Sequence, residues 1–224
     1  MISKCEGIIL KCFPFKESDL ILKVLTREKG IASFIMKGGQ SSKRRGGTPL
    51  GPLIHAELTY FQGNSELLQL REAVLIDGFA SLRESYDHLE AALLMIKKVL
   101  VSQIGQKPAP NIFNLLHYYL KRLPALDTPR ILSCSFTLKV LLHEGLFDPV
   151  NRCSVCREDL AELLLSEGQS FCPLHAPGQA QSFTLDEAGR LMLLAYGRDF
   201  NALAACPWDS SLEEKIEAIF SVAF

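Results

Sequence analysis

Four residues in the last third of the chain carry its clearest chemistry. Cys153 and Cys156 form a C-x₂-C pair, and fifteen residues separate Cys156 from Cys172 and His175 at C-x₂-H. Zinc has no d-electron preference for geometry, and closed structural sites surround it with four tetrahedral ligands, most often thiolate and imidazole. A C-x₂-C turn presents two thiolates to one ion, and a C-x₂-H turn completes the shell. Two paired half-sites are a much more specific signal than a lone C-x₂-C. The alternatives are a redox dithiol and unligated core cysteines. A catalytic zinc keeps three protein ligands and an open position for water, whereas Cys153, Cys156, Cys172 and His175 fill all four. The deaminase pattern, H-x-E ahead of P-C-x₂-C, is missing: Glu144 follows His143 directly, and Arg152 precedes Cys153. An iron–sulfur cluster is disfavoured by the histidine. Structural Zn²⁺ is the expected cofactor, and packing by Leu160, Leu163, Leu164 and Leu165 would make it part of the folding free energy.

The bulk composition agrees. The chain has 224 residues, 48% hydrophobic and 22% charged, which is ordinary for a globular protein of one large or two modest domains. Its seven cysteines are odd in number and show metal-type spacing, which argues for reduced thiols over a disulfide framework. No run reaches the roughly eighteen apolar residues of a membrane span, and MISKCEGIILKC lacks a signal-peptide h-region. The expected compartment is the cytoplasm, with no membrane partner. The remaining cysteines, Cys5, Cys12 and Cys134, read as small buried hydrophobes, whereas Cys206 beside Pro207 has room to be exposed.

Net charge is −1, but it is unevenly distributed. Residues 1–50 hold 10 Lys/Arg and 4 Asp/Glu, leaving 14 and 21 for the remainder. That asymmetry directs a polyanionic partner to the amino-terminal end. Lys37, Lys43, Arg44 and Arg45 cluster within GGQSSKRRGGTPLGP and its preceding residue, where glycine and serine let cations adjust to phosphates. Phe13, Phe15, Phe34, Tyr60 and Phe61 are candidate stacking platforms, although Phe34 lies mid-strand and reads as core. Taken alone, the charge run is also compatible with a plain solvated loop.

The elements that must position these residues change character along the chain. Cys5–Phe13, Leu20–Thr26, Ile31–Lys37, Leu53–Phe61 and Leu67–Ile76 read as five strands, separated by turn residues that include Gly30 and Gly63–Asn64. Five strands in about eighty residues is the size of a small barrel, an architecture that presents loops to oligonucleotides. From about Ser81 the period becomes helical. Leu89, Leu93, Ile96, Leu100 and Ile104 define one face; Asn111–Leu123 and Pro129–Glu144 form two more helices, the last with Gly145 as its stop. Thr184 with Glu187, and Ser211 with Glu214, predict capping boxes. No G-x₄-G-K-[ST], G-x-G-x-x-G, H-E-x-x-H or G-x-S-x-G motif is present, and no paired carboxylates are arranged for magnesium. A binding protein is therefore preferred to an enzyme.

These residues resemble the bacterial RecO recombination-mediator family. The similarity is carried by Gly7–Lys11, Glu17-Ser18-Asp19, Thr26 with Gly30, Lys37-Gly38 leading into the basic loop, Pro52, and the cysteine segment after Glu144-Gly145-Leu146. The resemblance implies an α+β fold: a five-stranded OB-fold barrel over residues 1–80, then a helical domain over 81–224 with a zinc-binding insertion at about 150–178. It implies binding of single- and double-stranded DNA, strand annealing, and action with RecR and the C-terminal tail of single-stranded-DNA-binding protein to help load RecA in the RecFOR pathway. The implied location is cytoplasmic and nucleoid-associated. Carried over by position, the DNA contacts are Lys37, Lys43, Arg44 and Arg45, and the metal ligands Cys153, Cys156, Cys172 and His175. The family motif commonly has four cysteines, whereas His175 occupies the last position here. The alternatives are a zinc-dependent nucleic-acid enzyme and a structural adaptor without DNA binding.

Overall fold

The computed structural model describes residues 2–40, 50–63, 65–105 and 107–224. The chain divides into two compact units, Met1–Lys121 and Arg122–Phe224. In the first, apolar residues recur every second position and build β1 (Ile2–Phe15), β2 (Asp19–Thr26), β3 (Gly30–Met36), β4 (Ile54–Phe61) and β5 (Leu67–Asp77). Pairing runs in the order β1-β2-β3-β5-β4, and β4 pairs back to β1. The β1–β2, β2–β3, β4–β5 and β4–β1 pairings are antiparallel, whereas β3–β5 is parallel and spans three residue pairs, Ser33–Leu67 to Ile35–Gln69. The enclosed core includes Ile9, Leu22, Phe34, Leu58 and Leu68, with Phe34 edge-on to Tyr60 at 5.3 Å between ring centroids. At the β2–β3 turn Gly30 has φ +57°, and a Cβ there would fall 2.1 Å from the Lys107 carbonyl oxygen, so the turn requires glycine.

The expected fold class, an OB-fold barrel followed by a helical domain, is corrected. The amino-terminal strands form a mixed five-stranded sheet whose β3–β5 link is short and parallel. Two helices, α1 (Tyr86–Ser102) and α2 (Pro110–Arg122), fall with that sheet up to Lys121. The second unit is not purely helical, because it contains its own three-stranded sheet. Such strands of three and four residues are too short to show a period in the sequence. Within α1 the expected face is also displaced. Ala91, Ala92, Met95, Ile96 and Val99 are buried, whereas Leu93 is exposed and Ile104, also exposed, falls beyond the end of the helix. Small alanines allow close approach along that face, which a reading weighted towards large apolar residues overlooks.

Where α2 meets β4, two imidazoles face each other. His55 is buried, its Nε2 lies 2.7 Å from Glu6 Oε1, and its ring centroid is 4.8 Å from that of His117. The short contact assigns the His55 proton to Nε2, which leaves Nδ1 as a buried acceptor without a partner; His117 Nε2 is likewise buried and unpartnered. Burial holds both rings below the ordinary histidine pKa. Glu6 opposes this at His55, while His55, Lys121 and Arg27 add to it at His117. A depressed histidine pKa contributes stability that is complete above the unfolded value of about 6.5 and is lost as pH falls through the folded value. Denaturant midpoints are therefore expected to fall progressively below pH 6.5, and His117→Phe is expected to flatten that decline.

In the second unit α3 (Pro129–His143) is buried nearly all round, as expected of a central helix. It packs against α4 (Leu185–Tyr196), α5 (Phe200–Ala204) and α6 (Ser210–Ala223). Its buried hydroxyls are satisfied: Ser135 donates to the Leu194 carbonyl at 2.6 Å and Thr137 to Ser133 at 2.9 Å. The Thr184–Glu187 capping box forms, with Thr184 Oγ1 accepting from the Glu187 N–H at 3.2 Å and Glu187 accepting from the Thr184 N–H at 2.8 Å. Lys215 donates to both Glu187 carboxylate oxygens and holds that carboxyl below its usual pKa. The second expected box does not form. Asp209, not Ser211, caps α6 by accepting from the Ser211 N–H at 2.9 Å. A carboxylate at the positive end of a helix gains from the dipole as well as from the hydrogen bond.

Candidate metal centre and nucleic-acid interface

Two turns build the metal-type cluster. After Val150 the chain doubles back through an Arg152–Asp159 bridge. Within it the Cys153 carbonyl accepts from the Arg157 N–H at 3.0 Å, and the Cys153 N–H donates to Glu158 at 2.9 Å. This knuckle holds Cys153 and Cys156 on one side, with Arg157 at φ +66° closing the turn. The second half-site is delivered by a hairpin of β6 (Leu163–Ser166) and β7 (Gln169–Phe171), to which β8 (Gln181–Phe183) adds on the other side of β6. Its two-residue loop, Glu167-Gly168, has φ +48° and +73°, the conformation that matches the twist of a hairpin. A Cβ on Gly168 would fall 2.0 Å from the Leu146 carbonyl oxygen. Cys172 follows β7 directly, and its carbonyl accepts from the N–H groups of His175 and Ala176, both at 3.0 Å. Glu167-Gly168 is not one of the Asn-Gly or Asp-Gly pairs that mark a two-residue hairpin, and β6 and β7 are too short to show alternation, so this hairpin was not legible in the sequence.

The four ligand atoms all lie within 4.8 Å of one another. Cys172 Sγ is 3.2 Å from His175 Nδ1, Cys153 Sγ is 3.8 Å from the same nitrogen, and Cys156 and Cys172 sulfurs are 3.9 Å apart. A tetrahedron with Zn–S of about 2.3 Å and Zn–N of about 2.0 Å has edges of roughly 3.5 to 3.8 Å, so this donor set fits a zinc ion with His175 ligating through Nδ1. Cys153 is buried, Cys156 and Cys172 are half-buried, and His175 is exposed. Desolvation alone would push the Cys153 thiol up, but hydrogen bonds from the backbone around Cys172, Cys156 and Val155 outweigh it and bring the pKa down to about 6. At Cys156 the Glu158 backbone pulls downward, and desolvation with the neighbouring sulfurs of Cys153 and Cys172 prevails, raising the pKa. One thiolate is thus stabilised in the absence of a cation, and a divalent cation would stabilise the others. Among the described residues no other group of three or more His, Cys, Asp or Glu side chains is placed to hold a metal.

The remaining described cysteines form no disulfide: Cys5, Cys134 and Cys206 are buried and Cys12 half-buried. Cys206, whose exposure the sequence left open, is thus placed inside. Burial pushes the Cys5 thiol up to about 12, which leaves it unreactive at neutral pH.

On the basic side, Lys37 is exposed one residue beyond the end of β3. Lys43, Arg44 and Arg45 lie outside the described residues, as does Asn64 of the Gly63–Asn64 turn. Of the candidate stacking residues, Phe34 and Tyr60 are buried in the core. Phe13 and Phe15 are half-buried and Phe61 is exposed. No described helix is long and apolar enough to cross a membrane.

Comparison with known proteins agrees across both parts of the chain. Residues 1–79 match the family described as Recombination protein O N terminal, and residues 83–221 match Recombination protein O C terminal. The chain is 30% identical over 220 residues to the DNA repair protein RecO of Chlamydia trachomatis serovar L2, covering 96% of this chain and 89% of that one. It is 28% identical over 216 residues to the DNA repair protein RecO of Chlamydia pneumoniae, covering 96% and 85%. With the DNA repair protein RecO of Myxococcus xanthus it shares 28% identity over 151 residues, 67% of this chain and 62% of the relative. With both family segments matched in order along a single chain, the protein belongs to the RecO family of DNA-repair recombination mediators.

Proposed function

We propose that this chain is a DNA-binding mediator that grips single- and double-stranded DNA with its amino-terminal part, anneals complementary strands, and acts with RecR and single-stranded-DNA-binding protein to help load RecA. The observation that carries the reading is the family match over nearly the whole chain, with its two segments in order. The concentration of 10 Lys/Arg against 4 Asp/Glu in residues 1–50 adds the charge that such a role needs. It is not an enzyme, since RecO-family members act as non-catalytic mediators. In this reading residues 1–80 carry DNA contacts at Lys37, Lys43, Arg44 and Arg45, and residues 81–224 carry the protein-partner surfaces. Cys153, Cys156, Cys172 and His175 hold a structural zinc that fixes the β6–β7 hairpin to the preceding knuckle. The protein works in the cytoplasm, associated with the nucleoid.

Annealing is opposed by repulsion between phosphates, so a protein that neutralises part of one strand lowers the cost of bringing two together. A salt titration of fluorescent single-stranded DNA binding tests this. The intact chain is expected to lose affinity steeply with salt. The Lys43→Ala, Arg44→Ala, Arg45→Ala triple variant is expected to bind more weakly, with a log–log slope shallower by about 2 if three phosphate contacts are lost. Unchanged affinity and slope in that variant would remove the segment from the interface. No binding by the folded intact chain at low salt would leave an adaptor acting through proteins.

A further inference from the structure

Two sulfurs that join the halves of the metal-type cluster are also the ones that solvent reaches. Cys156 Sγ, on the knuckle, lies 3.9 Å from Cys172 Sγ, on the turn after β7. Both side chains are half-buried, and Val155, Pro173, Leu174 and His175 beside them are exposed. Cys153 differs on both counts. It has no exposed surface, and its sulfur lies 3.8 Å from His175 Nδ1. A disulfide holds its sulfurs at about 2.05 Å, so closing the Cys156–Cys172 pair takes an approach of roughly 1.9 Å. Exposure of residues 173–175 leaves the second turn room to give.

We infer that Cys156 and Cys172 form an oxidation site, at which a peroxide exchanges the metal clasp for a disulfide. The inference rests on the structural-zinc reading above and adds a covalent modification to it. One thiolate attacks the O–O bond of the peroxide, becomes a sulfenic acid and releases hydroxide. The other thiolate attacks that sulfur, forms the S–S bond and displaces a second hydroxide. Two electrons pass from the sulfurs to the peroxide, and two protons from solvent turn both hydroxides into water. Cys153 and His175 then remain as two donors, short of the four that close a zinc site. Thiols elsewhere in the chain are withdrawn from this chemistry. Cys5, Cys134 and Cys206 are buried, and burial pushes the thiols of Cys5, Cys12 and Cys206 up, leaving little thiolate to react.

The disulfide joins the same two pieces that a zinc ion would join. Cys156 and Cys172 are sixteen residues apart, and β6 and β7 lie between them. A cross-link across that loop restricts the unfolded segment and so favours the folded one. The oxidised segment therefore stays folded without a metal, whereas the reduced segment opens when its metal is removed. A bond between Cys153 and Cys156 would act differently. Both belong to one tight turn, closed by the Arg157 N–H donating to the Cys153 carbonyl, so the hairpin would be left untied.

The test treats the full zinc-loaded chain with hydrogen peroxide and follows released zinc with a colorimetric indicator, free thiols by titration and the bond formed by peptide mapping. Each chain is expected to release its zinc, to lose two of its seven thiols, and to map Cys156 to Cys172 with Cys153 still reduced. A dithiol with added zinc should restore the starting state. Hydrogen exchange is expected to keep protection at the Cys153, Ser154 and Leu160 amides in the oxidised chain and to lose it in the reduced chain after chelation. Cys172→His retains four donors of the kinds zinc takes and is expected to hold its zinc under the same peroxide. A bond mapped to Cys153–Cys156, or zinc lost from Cys172→His as readily as from the parent, would overturn the pairing; mapping in the parent decides it even if that variant does not fold. Equal loss of protection in oxidised and chelated chains would overturn the covalent clasp. A loaded chain that keeps its zinc and all its thiols under peroxide sinks the oxidation site, while the zinc reading stands. If the chain neither carries nor takes up zinc, that reading fails and the exchange fails with it.

Discussion

Removal of the metal is expected to unfold the segment from about residue 150 to 178 while leaving the five-stranded sheet intact. The purified chain should carry one zinc per molecule by elemental analysis, and Cys156→Ser should lose it. The size of the effect follows from what else holds this segment. Its strands have three and four residues, and its buried apolar contribution comes mainly from Leu160, Leu163 and Leu165. Three such side chains supply about 5–9 kcal/mol of burial, at about 1.5–3 kcal/mol each. Structural zinc in small fingers contributes roughly 10–16 kcal/mol of apparent folding free energy near neutral pH. The ion would therefore dominate the local balance. Hydrogen exchange should report loss of protection at the Cys153, Ser154 and Leu160 amides, which are hydrogen-bonded to Glu158, Ser170 and Asn151. Retained protection after chelation would show that the hairpin and knuckle stand without a metal. Because His175 is the exposed member of the four, His175→Cys is expected to keep the ion, thiolate being an equally good zinc donor.

Replacement of Phe34 by alanine is expected to destabilise the amino-terminal unit by about 3–5 kcal/mol, the usual cost of deleting a buried aromatic side chain. Phe34 has no exposed surface and packs edge-on to Tyr60 among Leu22, Val24 and Leu68. The ring cannot be replaced by collapse, since β3 is held on both sides, by β2 and by the short parallel contact with β5. Urea unfolding followed by a probe in this unit should show a lower midpoint with an unchanged slope. Phe13→Leu, on the outer face, is expected to move that midpoint by less than about 1 kcal/mol equivalent. A Phe34→Ala chain as stable as its parent would mean the sheet does not enclose a packed core. The contrast between these two phenylalanines separates aromatic residues that hold the sheet from those available to a ligand.

The sequence alone determined features that depend on neighbours a few residues apart. Ligand spacing in the two half-sites was sufficient to group Cys153, Cys156, Cys172 and His175, because each pair is formed by a single tight turn. Alternating apolar residues located the five strands, and the side-chain requirements of a helix start identified Thr184 with Glu187. The limits were equally physical. Asp209 displaced Ser211 as a cap because both side chains suit that position and only the path of the chain chooses between them. The inward face of α1 was drawn through Leu93 rather than Ala91 and Ala92 because size is a poor guide where a close approach favours small residues. The three-stranded sheet of the second unit needs pairing across more than ten residues, from Leu163 to Phe183, and its strands are too brief to announce themselves. Only the tertiary structure decided which face of β1 looks outward. Period-two alternation is blind to a bulge, and the extra residue at Leu10 reverses it, bringing Lys11 beside Lys23 and turning Phe13 and Phe15 away from the core.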